Sequence, residues 1–221
     1  MSLQTIIDNA TFIDMDIREQ SAATLSRSGH YKTADRNINV YQFKVGMHDG
    51  LTYSTNRSVI QDIYTTGATN EANISLNNNS GMNYITAYQG DLESSVLANL
   101  TIASTSGSGI TINLVGAGGA GLNGNIIFKK GDYIQPRGNT DTYRYPYQVT
   151  SDVVWSFPGT PTIPVHRPIL SQDGVTLTSS GLKVGNDVRW QVKIANLPMY
   201  SVVPHDRVVF SDDFQLIEVI T

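Results

Sequence analysis

Short runs that alternate apolar and polar residues, separated by turn residues, dominate the chain. Residues 40–45 (VYQFKV) alternate in this way and stop at a glycine, which is typical of a half-buried strand. The segments LTIAS and ITINLV flank TSGSG, the pattern of a β-hairpin with a flexible tip. Similar patterns predict strands at residues 72–76, 82–88, 126–128, 133–135, 175–177, 189–194, 202–203, 207–210 and 214–220. The sequence therefore predicts a mainly β protein.

Helical patterns are confined to the first half of the chain. Residues 2–17 have apolar positions at helical spacing, but they also carry β-branched residues, so a helix and a strand both stay open. The clearest helix follows Thr55 or Asn56, either of which can cap it. Its predicted apolar face is made of Val59, Ile60, Ile63 and Tyr64. Gly67 lies beyond its expected end, and residues 91–99 fit one or two further helical turns.

Two stretches stand out between the predicted elements. Residues 18–39 are polar and carry several basic side chains. They are interpreted either as a solvated loop or as an arm that gains order from a neighbouring subunit. Residues 125–169 contain six of the eight prolines in the chain, among short apolar runs. This is typical of short strands joined by tight turns, and it favours one β-rich domain over residues 1–221, with a possible subdivision near residues 116–125.

Composition narrows the classes of function. The 221 residues carry a net charge of −4 and only 15% charged residues, which argues against a general nucleic-acid binder with a basic face. There are no cysteines, so disulfides, thiolate metal sites and cysteine nucleophiles are excluded. No run approaches the length of apolar residues that a membrane helix needs, and we expect a soluble protein without a membrane partner.

The glycine-rich run GAGGAGLNG, residues 116–124, matches G-x-G-x-x-G at Gly116, Gly118 and Gly121. A dinucleotide site needs a helix to begin there, so that helix N-terminal amides can face the pyrophosphate. The following LNGNIIFKK is strand-like instead, and no Lys-Ser/Thr pair completes a phosphate-binding loop. The sequence therefore predicts no cofactor, and a mobile or close-packed loop is the favoured interpretation.

No other pattern specifies catalysis or metal binding. The four histidines, His30, His48, His166 and His205, have no partner histidine at metal-binding spacing. Residues 180–183 match S-x-x-K without the companion motifs of a serine acyl-enzyme, and Asp212 and Asp213 fit a turn. Tyr143, Tyr145 and Tyr147 could stack bases, but with so few cations nearby they favour a packing edge. We therefore predict no catalytic, cofactor-binding or metal-binding residues, and no enzyme.

The order of several segments resembles structural proteins of tailed bacteriophages. The segments are MSLQTIIDNATFI, SRSG, GLTYSTNRSVIQDI, FKKGDYIQP, YPYQVTSDVV, VHRPIL, GNDVRWQVKIANLPMYSVVP and FQLIEV. Together they cover most of the chain, and they are most similar to tail and baseplate proteins of contractile-tailed phages, within the tail-tube and tube-initiator group.

This resemblance implies a β-sandwich or barrel-like subunit with one short packed helix and extended loops. It implies a sixfold ring in the tail tube or baseplate of the virion, made in the host cytoplasm, with neighbouring tail proteins as partners and DNA as a non-specific passenger. A neutral or acidic lumen would repel DNA phosphates. Two alternatives stay open: a host-binding or capsid-decorating β-module with the tyrosines as its recognition surface, and a phage carbohydrate-active enzyme with a close carboxylate pair.

Overall fold

The structure is a computed structural model of the chain. It describes residues 2–25, 31–47, 50–66, 71–114, 122–137, 145–156, 158–170 and 181–220. The α-helices among these residues are α1 (Ser2–Asp8), α2 (Tyr53–Thr66) and α3 (Ser94–Leu97). The strands are β1 (Phe12–Leu25), β2 (Tyr31–Gly46), β3 (Leu51–Thr52), β4 (Ala72–Ile74), β5 (Leu100–Ser106), β6 (Gly109–Leu114), β7 (Ile126–Phe128), β8 (Tyr133–Pro136), β9 (Tyr147–Gln148), β10 (Val153–Val154), β11 (Thr162–Pro164), β12 (Leu182–Val184), β13 (Trp190–Asn196), β14 (Tyr200–Val203), β15 (Arg207–Phe210) and β16 (Phe214–Glu218). The predicted mainly β class is confirmed, with several antiparallel sheets.

The chain forms two compact units. The first unit combines Met1–Ala72 with Val192–Ile220, and the second is the intervening Asn73–Gln191. A five-stranded sheet has the order β1-β2-β16-β13-β4, and the first unit also holds a three-stranded sheet β14-β15-β3. The second unit contains the sheets β11-β6-β5, β12-β8-β9 and β10-β7. The proposal of one domain over residues 1–221 stays a prediction.

The core of the first unit follows from strand alternation. Along β16 the side chains of Phe214, Leu216 and Glu218 are buried while Gln215 is exposed. This is the period-two pattern of a sheet with one covered face. Helices α1 and α2 contact each other in the same unit, and they bury apolar side chains that recur at helical spacing: Leu3, Ile6, Ile7, Ile60 and Ile63.

Residues 2–17 contain both elements that the sequence left open. Helix α1 ends at Asp8, where the Asn9 side chain donates a hydrogen bond to the carbonyl oxygen of Thr5 at 2.8 Å. Strand β1 then begins at Phe12, opposite Gly46. A Cβ atom on Gly46 would lie 2.0 Å from the Phe12 ring, so any larger residue at this end of the β1–β2 hairpin would require the Phe12 ring to move.

Three local predictions are wrong. The solvated-loop interpretation of residues 18–39 fails because the described residues 18–25 and 31–39 belong to β1 and β2 and pair with each other. Residues 82–88 form no strand and instead contain the short 3₁₀ helix Asn83–Ile85. Helix α2 begins at Tyr53, before Thr55 and Asn56, because its first amides find their acceptors elsewhere in the first unit.

Most other predicted elements are confirmed. Strands occur at the expected places around residues 40, 72, 101, 110, 127, 134, 192, 202, 208 and 216, and α3 lies within the predicted residues 91–99. Residues 175–177 and Gly67 lie outside the described residues, so those calls stay predictions. No helix of the described chain is long and apolar enough to cross a membrane.

Candidate assembly surface

The longest continuous feature of the first unit is the antiparallel hairpin of β1 and β2. Register pairs run from Phe12↔Gly46 to Leu25↔Tyr31. On its other side β2 pairs with β16, but only through residues 42–45. Within the described residues, the part of the hairpin beyond Arg18 and Val40 therefore has no third strand beside it. We call residues 18–25 and 31–40 the ribbon.

The base of the ribbon is anchored in the buried part of the sheet. Val40, Tyr41, Phe43 and Val45 are all buried. The backbone N–H of Tyr41 donates a hydrogen bond to Oε2 of the buried Glu218 at 3.1 Å. A carboxylate that accepts a backbone N–H in a buried site fixes that strand firmly. The base of the ribbon is therefore held in place by the buried part of the sheet.

A bulge marks the place where the ribbon leaves the sheet. Glu19 faces Asn39 and the next register pair is Ser21↔Asp35, so residues 36–38 of β2 oppose Gln20 alone. Extra residues on one strand bend a hairpin and increase its twist. From Arg18 to Leu25 the ribbon extends about 25 Å at roughly 3.3 Å per residue. Isolated two-stranded hairpins are marginally stable in water, so this geometry favours a partner for the ribbon.

A second surface feature of the first unit is the edge strand β14. It lies at one end of the sheet order β14-β15-β3. Val202 in β14 is 51% exposed and Met199, just before the strand, is 76% exposed. Because Ser211 donates its backbone N–H to the Met199 carbonyl, alternate pairing directs the backbone groups of Tyr200 and Val202 away from β15. An edge with exposed apolar side chains is a template for pairing with another chain.

The turn beside this edge also starts α2. Asp206 has a φ of 60° and follows His205, with a φ of 68°. Its main-chain oxygen accepts the N–H of Tyr53 at 2.8 Å, and its carboxylate accepts both the N–H of Ser54, at 2.9 Å, and the Ser54 hydroxyl. Asp206 is therefore the N-terminal cap of α2. Local sequence reasoning missed it because the cap lies about 150 residues away from the helix.

The carboxylates of the second unit hold loops together. Buried Asp132 accepts the backbone N–H groups of Gln89 at 2.9 Å and Lys129 at 2.8 Å, one on each oxygen. Burial raises the pKa of the Asp132 carboxyl, and these two N–H groups partly oppose that shift. Asp91 and Asp152 accept the N–H groups of Ile126 and Lys130 in the same way. These side chains stabilise turns by hydrogen bonding to the main chain.

His166 and Arg167 lie in a buried aromatic cluster of the second unit. The Arg167 guanidinium donates to the Pro146 carbonyl at 2.8 Å and lies 5.9 Å and 5.3 Å from the ring centres of Tyr145 and Tyr147. Nδ1 of His166 accepts the backbone N–H of Gln148 at 3.0 Å. Burial, with the nearby Arg167 charge, lowers the pKa of His166 to about 3. The imidazole is therefore neutral near pH 7, and its Nδ1 is occupied.

The remaining sequence candidates do not come together. Tyr145 and Tyr147 are buried, which agrees with the packing-edge interpretation, whereas Tyr143 lies outside the described residues. His205 and the Asp212–Asp213 pair lie in turns of the first unit, where Asp213 forms an ion pair with Lys44 at 3.2 Å. His30, His48, Ser180 and Gly116–Gly121 also lie outside the described residues. The described side chains include no group of three or more potential metal ligands.

Comparison with known proteins assigns the chain to no family. No protein-family model matches the chain, and no curated protein matches it.

Proposed function

We propose that the protein is a structural component of a bacteriophage tail. Copies of the chain form a ring, with six subunits, in the tail tube or baseplate, and DNA passes through its opening. This proposal depends on the ribbon. Among the described residues, the two strands of the ribbon extend beyond the sheet and pair only with each other. The resemblance of the sequence segments to tail and baseplate proteins supports the same function.

In a ring, each subunit inserts a segment into the next subunit and, on a different surface, receives a segment from the previous subunit. Heterologous contacts repeat head to tail and close only when the rotation between subunits allows it. In this proposal the ribbon is the donor, and the edge of β14 with Met199 and Val202 receives the next copy by strand addition. The low charge content and the net charge of −4 are compatible with an opening that does not retain DNA phosphates.

The first experiment removes the donor. Glu19 and Asn39 face each other in the register, so residues 20–38 can be replaced by Asn-Gly, a two-residue hairpin turn. We expect the wild-type chain to form rings in electron micrographs and by mass measurement. The shortened chain should stay monomeric and should still unfold cooperatively. As a control, replacing the Gly107-Ser108 tip of the β5–β6 hairpin by Asn-Gly should leave assembly unchanged.

The second experiment blocks the receiver. Lysine on an edge strand opposes pairing with another strand, so Val202→Lys should abolish rings without loss of fold. Val154 is a matched control, since it is 50% exposed in the second unit, and Val154→Lys should assemble normally. A wild-type chain that is only monomeric and absent from virions would contradict the proposed function. Turnover of polysaccharide or peptidoglycan by purified protein would favour the enzyme alternative instead.

A further inference from the structure

Met199, the residue just before the edge strand β14, has the most exposed large apolar side chain of the described residues. It is 76% exposed. The chain contains five methionines. Within the described residues, Met47 is buried at 8% exposure, and Met15 and Met82 are partly buried. Among these four residues, the thioether of Met199 is therefore the one that a solute reaches most easily.

The exposure of Met199 goes with a well-anchored backbone. The carbonyl oxygen of the buried Pro198 accepts a hydrogen bond from the Tyr64 hydroxyl of α2. The Met199 carbonyl accepts the Ser211 N–H at 2.8 Å, and the centroid of the Tyr200 ring lies 4.8 Å from that of the Tyr64 ring. Because α2 holds the residues on both sides and Ser211 holds the main chain between them, the fold itself keeps this side chain at the surface.

Oxidation is the characteristic reaction of an exposed methionine. A hydroperoxide converts the thioether to methionine sulfoxide, which is polar and chiral, and sulfoxide reductases reverse the change. The sulfur lone pair attacks one peroxide oxygen, so that an S–O bond forms and the O–O bond breaks. The sulfur loses two electrons and the peroxide gains them. The proton on the transferred oxygen moves to the departing oxygen, which leaves as water or an alcohol. The chain contains no cysteine that would compete for the oxidant.

We propose that Met199 is a site of reversible oxidation in the free subunit, and that its sulfoxide prevents assembly at the β14 edge. The second part rests on the proposed function, in which another copy of the chain adds a strand along this edge. Covering the sulfoxide with the incoming strand removes water from a polar group in a contact formed around an apolar one, which is unfavourable. Oxidised subunits should therefore stay monomeric, while assembled subunits, whose Met199 is covered, should resist oxidation.

The first experiment measures the modification alone. The full-length Val202→Lys variant, which we expect to remain monomeric, is treated with dilute hydrogen peroxide, and each methionine is followed by peptide mass spectrometry. We expect Met199 to oxidise at least about tenfold faster than the buried Met47 in the folded chain, and both to react at the same rate in concentrated urea. Equal rates for the two residues in the folded chain would overturn the site. This result does not depend on ring formation.

The second experiment tests the effect on assembly. Wild-type chain oxidised before assembly should form no rings, and treatment with the two sulfoxide reductases, one for each epimer, should restore them. Preformed rings should oxidise at Met199 at least about tenfold more slowly than the Val202→Lys monomer. Normal rings from chain fully oxidised at Met199 would overturn the effect. An untreated wild-type chain that forms no rings would overturn it together with the proposed function, while the rate comparison with Met47 would still decide the site.

Substitutions assign the effect on assembly to Met199. Met199→Leu keeps an apolar side chain of similar size without the sulfur, so it should form rings with and without peroxide. Met199→Gln has a polar side chain of similar length and should lose rings without any peroxide. Met82→Leu is the matched control, and its assembly should stay as sensitive to peroxide as that of the wild type. Loss of rings by peroxide-treated Met199→Leu would contradict the assignment.

Discussion

Single side chains of this protein act mainly through main-chain hydrogen bonds that join distant segments. Asp132, Asp91 and Asp152 each accept N–H groups from neighbouring loops. Buried N–H groups must find acceptors, and a chain with many short strands has many such groups at its turns. These three carboxylates therefore stabilise turns as acceptors of main-chain N–H groups.

Replacing Asp132 tests this role. Asp132→Asn substitutes an N–H₂ group for one of two oxygens that each accept a backbone N–H, so a donor would face a donor. We expect a loss of about 1–3 kcal/mol in the free energy of unfolding, measured by urea denaturation. Asp152→Asn is the control, because the exposed Asp152 accepts only the Lys130 N–H among the bonds described here, and its loss should be smaller. Equal losses would contradict the two-acceptor account.

His166 gives the protein a defined sensitivity to acid. Its pKa is lowered to about 3 in the folded chain, below the ordinary value near 6.5, so the unfolded chain binds the proton more readily. Stability from this residue is complete above pH 6.5 and is lost as the pH falls toward 3, by up to about 1.4 kcal/mol per pH unit. His166→Gln should reduce the change in the free energy of unfolding between pH 6.5 and pH 4. His205→Asn, in an exposed turn, is the control for the loss of a histidine outside the buried cluster.

At the scale of elements, long-range contacts decide where a helix begins and where a strand ends. Asp206 caps α2 from a turn between β14 and β15, and this contact shifts the helix start to Tyr53. Asp206→Ala removes the acceptor and places alanine, which tolerates the left-handed region less well than aspartate, at a φ of 60°. We expect a loss of about 1–2 kcal/mol from the cap alone, measured by thermal or urea unfolding.

A matched substitution separates the cap from the backbone strain. Asparagine tolerates a left-handed conformation and keeps an oxygen acceptor, so Asp206→Asn should lose less than half as much stability as Asp206→Ala. If both variants lost the same amount, the negative charge rather than the acceptor would explain the effect.

The alternation of apolar and polar residues predicted the strands well, because a sheet with one buried face requires an apolar residue at every second position. Arg207–Phe210 is predicted to the residue, and 126–128 likewise. The ribbon was harder to predict, since the composition of residues 18–39 lacks the apolar alternation that burial imposes and its strands are paired only with each other. The anchor of the ribbon and the Asp206 cap depend on residues more than 150 positions apart, and no local pattern contains that information.

For the whole molecule, the division of the chain into two compact units has a measurable consequence. The second unit is continuous, from Asn73 to Gln191, and it buries its own apolar and aromatic side chains, such as Phe128, Tyr147 and Trp190. A compact unit with its own core can fold alone. We expect residues 73–191, expressed separately, to show a cooperative thermal transition and dispersed amide resonances in NMR spectra.

The comparison for this prediction is the N-terminal segment of the first unit. Residues 1–72 lack β13 and β16, which complete their sheet in the whole chain, so this fragment should show no cooperative transition. A cooperative transition in residues 1–72 but not in residues 73–191 would contradict the assignment of the two units.

The first unit also imposes an order of events during translation. Phe43 and Val45 of β2 leave the ribosome early, while β16, which pairs with them, begins only at Phe214, about 170 residues later. At about 5–20 residues per second this delay lasts roughly 8–34 s. During this delay the nascent chain exposes an apolar strand edge that β16 has not yet covered. We therefore expect the newly made protein to depend on holding chaperones until β16 has been synthesised.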